Sequence, residues 1–197
     1  MAWTPLPIGI DNFEKLIQGK YYYVDKTLFI KELIDMKGEV NLFTSPRRFG
    51  KTLNISMLRY FFEKREQDQV NLFQGLKIME TGEKYLEQMG KYPVISISLK
   101  SMKQHSYDLA FEMLKKAVRE EYRRHWETVE RTGKLTDADM ERYIRIRDLR
   151  GTEGDYADSL KFLSECLYIC TGQRPIILID SMMSPWKTLT SAAFMTE

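Results

Sequence analysis

The chain has 197 residues, of which 43% are hydrophobic and 29% are charged, and its formal net charge is +2. This length allows one substantial core, and the composition is that of a globular protein. Acidic and basic residues are interspersed, so overall charge does not single out nucleic acid or an anionic membrane as a partner. No apolar run approaches the roughly 18 residues that a membrane span needs, and the N-terminus lacks a secretory pattern. We therefore expect a cytoplasmic protein with no membrane partner.

The two cysteines are also consistent with the expected cytoplasmic location. Cys166 and Cys170 are four positions apart, which is the spacing of one helix face rather than of a disulfide framework or a metal site. We expect two reduced, partly buried thiols.

The first segment, residues 1–38, is predicted to contain two short helices. Asp11 can cap the first helix and Asp25 can cap the second. Gly38 is suited to the left-handed position that ends a helix. The intervening aromatic cluster Tyr21–Tyr23 could stack on an adenine ring, but packing between the helices and the sheet is favoured.

Three apolar segments further along the chain are predicted to be strands, and they alternate with helical segments. The strands are EVNLFTS (39–45), PVISISL (93–99) and PIILID (175–180). Long helices are predicted over residues 106–131, 137–148 and 155–170, with Thr136 and Asp155 at two starts and Gly172 at the last end. Near-continuous apolar strands between long helices are typical of an α/β fold with a mainly parallel sheet covered on both faces.

A nucleotide-binding motif follows the first strand. The sequence PRRFGKT (46–52) lies between that strand and a segment with apolar residues at helical spacing, which is the context that a phosphate-binding P-loop requires. Gly50 permits a tight turn, Lys51 can reach the β- and γ-phosphates, and Thr52 can offer its hydroxyl to Mg²⁺. The predicted nucleotide-binding residues are Pro46, Arg47, Arg48, Phe49, Gly50, Lys51 and Thr52.

The loop departs from the full Walker A pattern. Ser45 stands where the pattern has glycine, and Pro46 lacks an N–H donor, so the phosphate cradle is degenerate. Arg47 and Arg48 can direct positive charge at a phosphate or a neighbouring subunit. Equally, they can form solvated ion pairs with nearby carboxylates.

Asp180, at the end of the third strand, is predicted to be the second Mg²⁺ ligand beside Thr52. In hydrolysing ATPases a glutamate often follows this aspartate and orients the attacking water. Here that position is Ser181, which cannot act as a base near neutral pH without help. The sequence therefore favours nucleotide binding over hydrolysis. His105 and His125 have no partner pattern, so surface or helix-face roles are expected for them.

Several segments of the chain resemble the bacterial AAA-ATPase-like family, whose members typically join an N-terminal P-loop module to a C-terminal PD-(D/E)XK nuclease-like domain. These segments are LPIGIDNFEKLI, YYYVDKTLFIKEL, FTSPRRFGKTLNISMLRYFF, YPVISISLK and IILID. The resemblance implies a P-loop NTPase-type parallel sheet flanked by helices, with residues 1–38 as a helical lead-in and residues 39–180 as a partial core. It also implies ATP as the nucleotide, with Lys51 and Thr52 at the phosphates and Mg²⁺, and Asp180 at the metal.

After Asp180 the chain departs from the family. Members tend to continue with a sequence such as DEYDVPLENAYF, whereas this chain reads DSMMSPWKTLTSAAFMTE. A reading-frame shift would produce this change, and a divergent tail is the alternative. With a shift, residues 181–197 are an aberrant tail outside the fold, the sheet is incomplete, and the loop-bearing strand lacks its neighbours. We then expect a marginal or aggregation-prone fragment.

Two functions are consistent with these patterns. One is the N-terminal part of an AAA-ATPase-like protein that binds Mg²⁺·ATP through the degenerate loop. The other is an interaction module that binds nucleotide without turnover and contacts a protein partner or a second copy. A small-molecule kinase is disfavoured because no lid or acceptor pattern is present. Nucleic acid is expected as a partner only through a C-terminal nuclease-like domain, which we expect to be missing.

Overall fold

The computed structural model describes residues 4–44, 46, 49–65, 70–100, 106–181 and 191–195, the last of these through its backbone alone. The helices are α1 (Phe13–Gln18), α2 (Leu28–Met36), α3 (Lys51–Phe62), α4 (Val70–Phe73), α5 (Glu83–Leu86), α6 (Tyr107–Thr132), α7 (Asp137–Arg147), α8 (Glu153–Ala157) and α9 (Ser159–Thr171), with a 3₁₀ helix at Lys77–Glu80. The strands are β1 (Val40–Phe43), β2 (Val94–Ser98), β3 (Ile176–Asp180) and β4 (Ser191–Met195). The fold is α/β, as predicted. None of the helices in the described ranges is long and apolar enough to cross a bilayer.

The sheet has the strand order β1-β4-β3-β2. β2 and β3 pair in parallel, with Ile95 opposite Ile177, whereas β4 is antiparallel to both β1 and β3. β1, β2 and β3 therefore run in the same direction, and their carboxyl ends lie at one edge of the sheet. The expectation of a mainly parallel sheet is corrected to a mixed sheet, because β4 runs against its two neighbours.

The expectation that the loop-bearing strand lacks a neighbour is wrong. β4, which lies within the segment 181–197, pairs with β1 on one side and with β3 on the other. Pairing on both sides satisfies backbone groups that an open gap between β1 and β3 would leave unpaired. Residues 182–190 and 196–197 lie outside the described residues, and the origin of the tail by a frame shift stays a prediction.

Two hydrophobic cores lie on opposite faces of the sheet. Because successive strand residues point to opposite faces, Val94 and Leu178 enter the first core while Ile95 and Ile97 enter the second. The first core is completed by residues of α1–α4 and the 3₁₀ helix, and the second by residues of α6–α9. The prediction that apolar strands are covered on both faces is therefore confirmed for β2 and β3.

Within the aromatic cluster at 21–23, the Tyr23 side chain packs in the first core. Its ring centroid is 5.6 Å from that of Phe13 in an edge-to-face arrangement, and its hydroxyl donates to Met57 Sδ at 3.4 Å. Burial raises the pKa of Tyr23 to about 12. For this tyrosine, packing rather than adenine stacking is the role that the structure shows.

The first helix begins one residue later than predicted. Asn12, not Asp11, is the N-cap of α1, and its side-chain oxygen accepts from the Lys15 N–H at 2.9 Å. A side chain caps a helix only when its oxygen reaches the N–H groups of the first turn, so a shift of one residue changes the capping group.

The predicted ends of α2 also change. Thr27 is its N-cap, while Asp25 lies before the helix and accepts from the Thr27 and Lys77 N–H groups, each at 2.8 Å. Asp25 thus joins the start of α2 to the 3₁₀ helix. The left-handed residue at the end of α2 is Lys37 (φ 49°) rather than Gly38.

The helical ends in the second half of the chain are partly as predicted. Thr136 caps α7 and Gly172 ends α9 with φ 73°, so both predictions are confirmed. The segment 155–170 contains two helices instead of one. Thr152 and Asp155 form a capping box at the start of α8, so Asp155 lies in the first turn of that helix rather than before it.

Cys166 and Cys170 lie on α9, where both are buried free thiols. Burial raises the pKa of the Cys166 thiol to about 12, so this group is protonated at neutral pH. The free thiols on one helix predicted from their spacing are confirmed, and both are fully rather than partly buried.

Candidate functional site

The phosphate-binding loop predicted from the sequence joins β1 to α3. Gly50 is the N-cap of α3 and has φ 83°, a left-handed conformation that glycine adopts without the steric cost of a side chain. The Phe49 N–H donates to the Pro46 carbonyl oxygen at 3.4 Å, which closes the turn before Gly50. Arg47 and Arg48 lie outside the described residues.

Lys51 and Thr52 are the first two residues of α3. The Asn54 N–H is bonded to the Gly50 carbonyl oxygen at 2.8 Å, and the N–H groups of residues 51–53 precede this first helical bond. Those donors and the positive end of the helix dipole point toward the loop. The start of α3 therefore has the polarity that a phosphate group requires.

Lys100, which follows β2, connects the start of α3 to the end of β3. Its Nζ donates to Thr52 Oγ1 and lies 3.1 Å from Asp180 Oδ2. Asp11 Oδ2 is 3.9 Å away from the same ammonium group. The structure thus brings together the two residues predicted to bind Mg²⁺, and it does so around a lysine that the sequence reasoning did not select. We call Thr52, Lys100 and Asp180 the loop-end cluster.

Asp180 is buried, with only 4% of the whole residue exposed. Its Oδ2 accepts no hydrogen bond within the part of the chain that the structure describes, although the Lys100 ammonium is within ion-pair distance. A buried carboxylate needs a compensating partner, and here that partner is the Lys100 cation, so the position beside this atom suits positive charge. Together with the Thr52 hydroxyl, the carboxylate supplies the hard oxygen donors that Mg²⁺ prefers. Ser181, the next residue, is also buried.

A small cavity lies beside the loop. Its volume is about 340 Å³, at the lower end of the range for ligand pockets. The lining residues are Phe29, Leu42, Phe43, Thr44, Lys51, Asn54 and Ile55. The rings of Phe29 and Phe43 meet edge-to-face with centroids 4.5 Å apart, so one side of the cavity is an aromatic wall.

Lys26 is a second lysine at the loop that the sequence reasoning did not select. Its Nζ donates to the Phe49 carbonyl oxygen at 3.0 Å, across 23 positions of sequence. This bond ties the segment before α2 to the residue preceding Gly50. Lys26 therefore supports the loop backbone from outside.

A different charged group lies at the amino ends of β2 and β3. We call it the opposite-end cluster, and its members are Glu63, Glu121, Arg124 and His125. The Arg124 guanidinium contacts both carboxylates and the Val94 carbonyl oxygen. Glu121 also accepts from the Ser96 N–H at 2.8 Å, and Glu63 also pairs with Arg59 at 3.2 Å. Each charge in this cluster therefore has several partners.

Of the two roles expected for His125, on the surface or on a helix face, the structure shows the second, and the side chain is buried within this cluster. His105 lies outside the described residues. Its Nε2 lies 3.1 Å from the Val94 carbonyl oxygen. Burial, with help from the nearby Arg124 charge, lowers the pKa of His125 to about 3. The imidazole is therefore neutral at physiological pH. The sequence pattern did not predict this burial. His125 shares a helix face with Val118, Tyr122 and Val129, and only the packing of α6 against the sheet buries that face.

A larger cavity of about 660 Å³ opens beside the opposite-end cluster, and its lining is rich in basic side chains. α3, α6 and α9 end at this cavity, and cations near the C-termini of helices interact favourably with their carbonyl groups. The positions of these helix ends thus explain why the cavity lining is basic.

In open α/β sheets, ligands bind outside the carboxyl ends of the strands. This rule favours the loop-end cluster, and not the opposite-end cluster, as the functional site.

Lys100 could have been found by asking which polar residues directly follow each predicted strand. It comes one position after the apolar segment PVISISL, as Asp180 ends PIILID. Carboxyl ends of strands running in the same direction meet at one edge, so both residues were candidates for the same site. Lys26 had no comparable signal, because its contact depends on how α2 packs against the loop.

Comparison with curated proteins finds similarity over half of the chain. A protein 38% identical over 99 residues is described as an "Uncharacterized protein in vnfD 5'region" from Azotobacter chroococcum mcd 1. The match covers 50% of this chain but 17% of the relative, so the relative is much longer than the matching part. No solved structure matches the chain.

A family model described as "Predicted AAA-ATPase" (AAA-ATPase_like) matches residues 7–196. The match includes the loop, both residues proposed for the metal, and the strand β4. It covers nearly the whole chain, and it agrees with the resemblance seen in the segments around the loop. The chain therefore belongs to the predicted AAA-ATPase family.

Proposed function

We propose that this chain binds ATP with Mg²⁺ at the loop-end cluster, through a degenerate P-loop within a P-loop NTPase-type fold. The observation that carries the proposal is the meeting of Thr52 and the buried Asp180 around one cation, beside the start of α3. A glycine with positive φ precedes that helix, and a cavity with an aromatic wall lies next to it. Family membership supports nucleotide as the ligand class.

Each residue of the site has a distinct role in the proposal. The first N–H groups of α3 and the Lys51 ammonium bind the phosphates, since both are positive and both lie at the loop. Thr52 and Asp180 hold Mg²⁺ through their oxygens. When bound, Mg²⁺ supplies charge neutralisation at the phosphate oxygens. Pro46, Phe49 and Gly50 shape the turn, and Arg47 and Arg48 contribute positive charge to the sequence of the loop.

Hydrolysis is not part of the leading proposal, because Ser181 stands where a general base would follow Asp180. A serine hydroxyl cannot take a proton from water near neutral pH without a neighbouring base. The alternative function is a nucleotide-gated interaction module, in which bound ATP changes the affinity for a protein partner or a second copy. Because a serine and not a glutamate follows Asp180, ATP binding without turnover and the interaction module are both favoured over a hydrolysing enzyme.

Binding and phosphate release measured on the same samples test the proposal. We expect wild type to bind Mg²⁺·ATP in calorimetry, and Lys51→Ala to bind at least about tenfold more weakly, which corresponds to about 1.4 kcal/mol. Lys161→Ala, on the exposed face of α9, is the matched control and should bind as wild type does. Phosphate release should be absent or very slow in all three proteins.

Two outcomes would overturn the proposal. One is wild type that fails to bind Mg²⁺·ATP at millimolar concentration while folded. The other is equal affinity in wild type and Lys51→Ala. Rapid phosphate release that requires Lys51 would keep the binding site but reject the assignment of a non-hydrolysing role.

A further inference from the structure

The position of the Lys100 side chain has a consequence for metal binding. Its ammonium group donates to the hydroxyl of Thr52 and is paired with the carboxylate of Asp180. These two groups are the proposed Mg²⁺ ligands. Lys100 therefore already neutralises the buried Asp180 and uses the oxygens that a divalent cation would use.

We propose that Lys100 is an internal competitor for the divalent-cation position between Thr52 and Asp180, and that it must leave before a metal ion can bind there. This inference rests on the proposed function, because that proposal defines the metal position. A lysine ammonium and a divalent cation cannot share the same two oxygens, since like charges within a few ångströms repel strongly. The resulting competition weakens the affinity of the site for metal in the absence of nucleotide.

Lys100 has a way to leave. Its side chain is 33% exposed, whereas that of Asp180 is 6% exposed, so the lysine reaches the site from the solvent side. The stem of a lysine carries four flexible carbons, which lets the ammonium move several ångströms without a change of backbone. Hydrophobic neighbours therefore do not have to be repacked when the ammonium moves.

Asp11 is the acceptor for the displaced ammonium. Its Oδ2 is 3.9 Å from Lys100 Nζ, and its side chain is 70% exposed. An ion pair at that exposure is weak, so Asp11 can receive Lys100 without holding it away permanently. Lys100 thus moves between a buried partner in the metal-free protein and an exposed partner in the metal-bound protein.

Titration with Mn²⁺ alone, without nucleotide, tests the competition directly. Free Mn²⁺ is followed by electron paramagnetic resonance in wild type, Lys100→Met and Lys100→Arg. We expect Lys100→Met to bind Mn²⁺ at least about tenfold more tightly than wild type, because the competing charge is gone. Lys100→Arg keeps a cation and should bind as weakly as wild type. Lys161→Met removes an exposed lysine of α9 far from the cluster in sequence and should leave the affinity unchanged, and Asp180→Asn should abolish binding.

A second measurement uses the wild-type protein and does not depend on the folding of a variant. Mn²⁺ displaces Lys100 toward solvent, so acylation of its amine, measured by mass spectrometry after a short pulse, should rise severalfold when Mn²⁺ is added. Acylation of Lys161 should not change. The rise should be absent in Asp180→Asn.

Equal or weaker Mn²⁺ affinity in Lys100→Met, or unchanged acylation of Lys100 in wild type, overturns the inference. These failures are distinct from failure of the proposed function, which is judged by Mg²⁺·ATP binding and its dependence on Lys51. A protein that binds Mg²⁺·ATP through Lys51 but shows no effect of Lys100 on Mn²⁺ keeps the function and rejects the competition.

Discussion

The two charged clusters at opposite ends of the sheet differ in how completely their atoms are bonded. α3 begins at the loop-end cluster and ends at the opposite-end cluster, so about 18 Å separates them along the helix. In the opposite-end cluster, Arg124 bonds to two carboxylates and a carbonyl oxygen, and each carboxylate has a further partner. In the loop-end cluster, Asp180 Oδ2 has an ion pair but no hydrogen bond from the described residues.

The number of partners that each buried charge has therefore distinguishes charges with a structural role from charges that are available to a ligand. A buried network with every donor and acceptor used has no capacity left for a ligand, and removing one member leaves the others uncompensated. A cluster whose buried carboxylate is paired with one partly exposed lysine can exchange that lysine for another cation at smaller cost. We therefore expect substitutions at the opposite end to change stability, and substitutions at the loop end to change binding.

The largest expected effect is the loss of stability in Arg124→Met. Its removal leaves Glu63 and Glu121, both more than nine-tenths buried, without their main cation. Breaking such a pair by removing one partner costs about 3–5 kcal/mol. Urea unfolding followed by circular dichroism measures this loss as a lower midpoint of the transition.

Arg150→Met is the matched control for Arg124→Met. Its ion pair with Asp148 is largely exposed and Asp148 keeps Arg147 as a partner, so its removal should cost less than about 1 kcal/mol. If the two variants lose similar amounts of stability, then the opposite-end cluster is no more structural than a surface ion pair, and the comparison fails.

The next effect is a pH dependence carried by His125. Its pKa is about 3 in the folded protein against an ordinary value of 6.5, so between these values the unfolded chain binds the extra proton. Stability from the neutral imidazole is therefore complete above pH 6.5 and is lost as pH falls toward 3. From pH 6.5 to pH 5 we expect a loss of about 1.5 kcal/mol beyond that of His125→Gln.

His125→Gln keeps a donor that can reach the Val94 carbonyl oxygen but has no proton to gain. Unfolding free energies of both proteins should be measured at half-unit steps between pH 5 and pH 7. Parallel pH profiles for wild type and His125→Gln would contradict the low pKa of His125 and with it the burial of the imidazole in the opposite-end cluster.

The smallest expected effect on stability is that of Gly50→Ala at the loop. Gly50 has φ 83°, and the nearest atom to an added Cβ is Lys26 Nζ at 3.8 Å, so the cost comes from the backbone conformation and not from crowding. That cost is about 1 kcal/mol. Gly133→Ala, at φ 58° with nothing within 4 Å, should lose a similar amount. Only Gly50→Ala should also weaken Mg²⁺·ATP binding in calorimetry, because its backbone shapes the loop. If both variants bind Mg²⁺·ATP equally well, then the backbone at Gly50 does not contribute to binding the nucleotide.

Much of the molecule could be predicted from local patterns. The periodicity of apolar residues indicated the two strands that enter both cores, and Thr136 and Gly172 marked helix ends correctly because capping depends on neighbouring residues. The same reasoning placed the starts of α1 and α2 one or two residues too early. Asn12 is as well suited to capping as Asp11, and packing of the helix decides which one is used. At α2, Thr27 holds the N-cap position without a side-chain capping bond, while Asp25 bonds to the Thr27 N–H before the helix.

The sequence by itself determined the α/β class, the glycine turn at position 50, and the candidates Lys51, Thr52 and Asp180, since each follows from a short motif or from an alternation of apolar residues. Only the tertiary structure decided that β4 lies antiparallel between β1 and β3, that His125 is buried, and that Lys100 lies between Thr52 and Asp180. These features join residues that are tens of positions apart. The physical reason is that strand order and side-chain contacts are set by the packing of the whole chain around the sheet, and no local pattern contains that information.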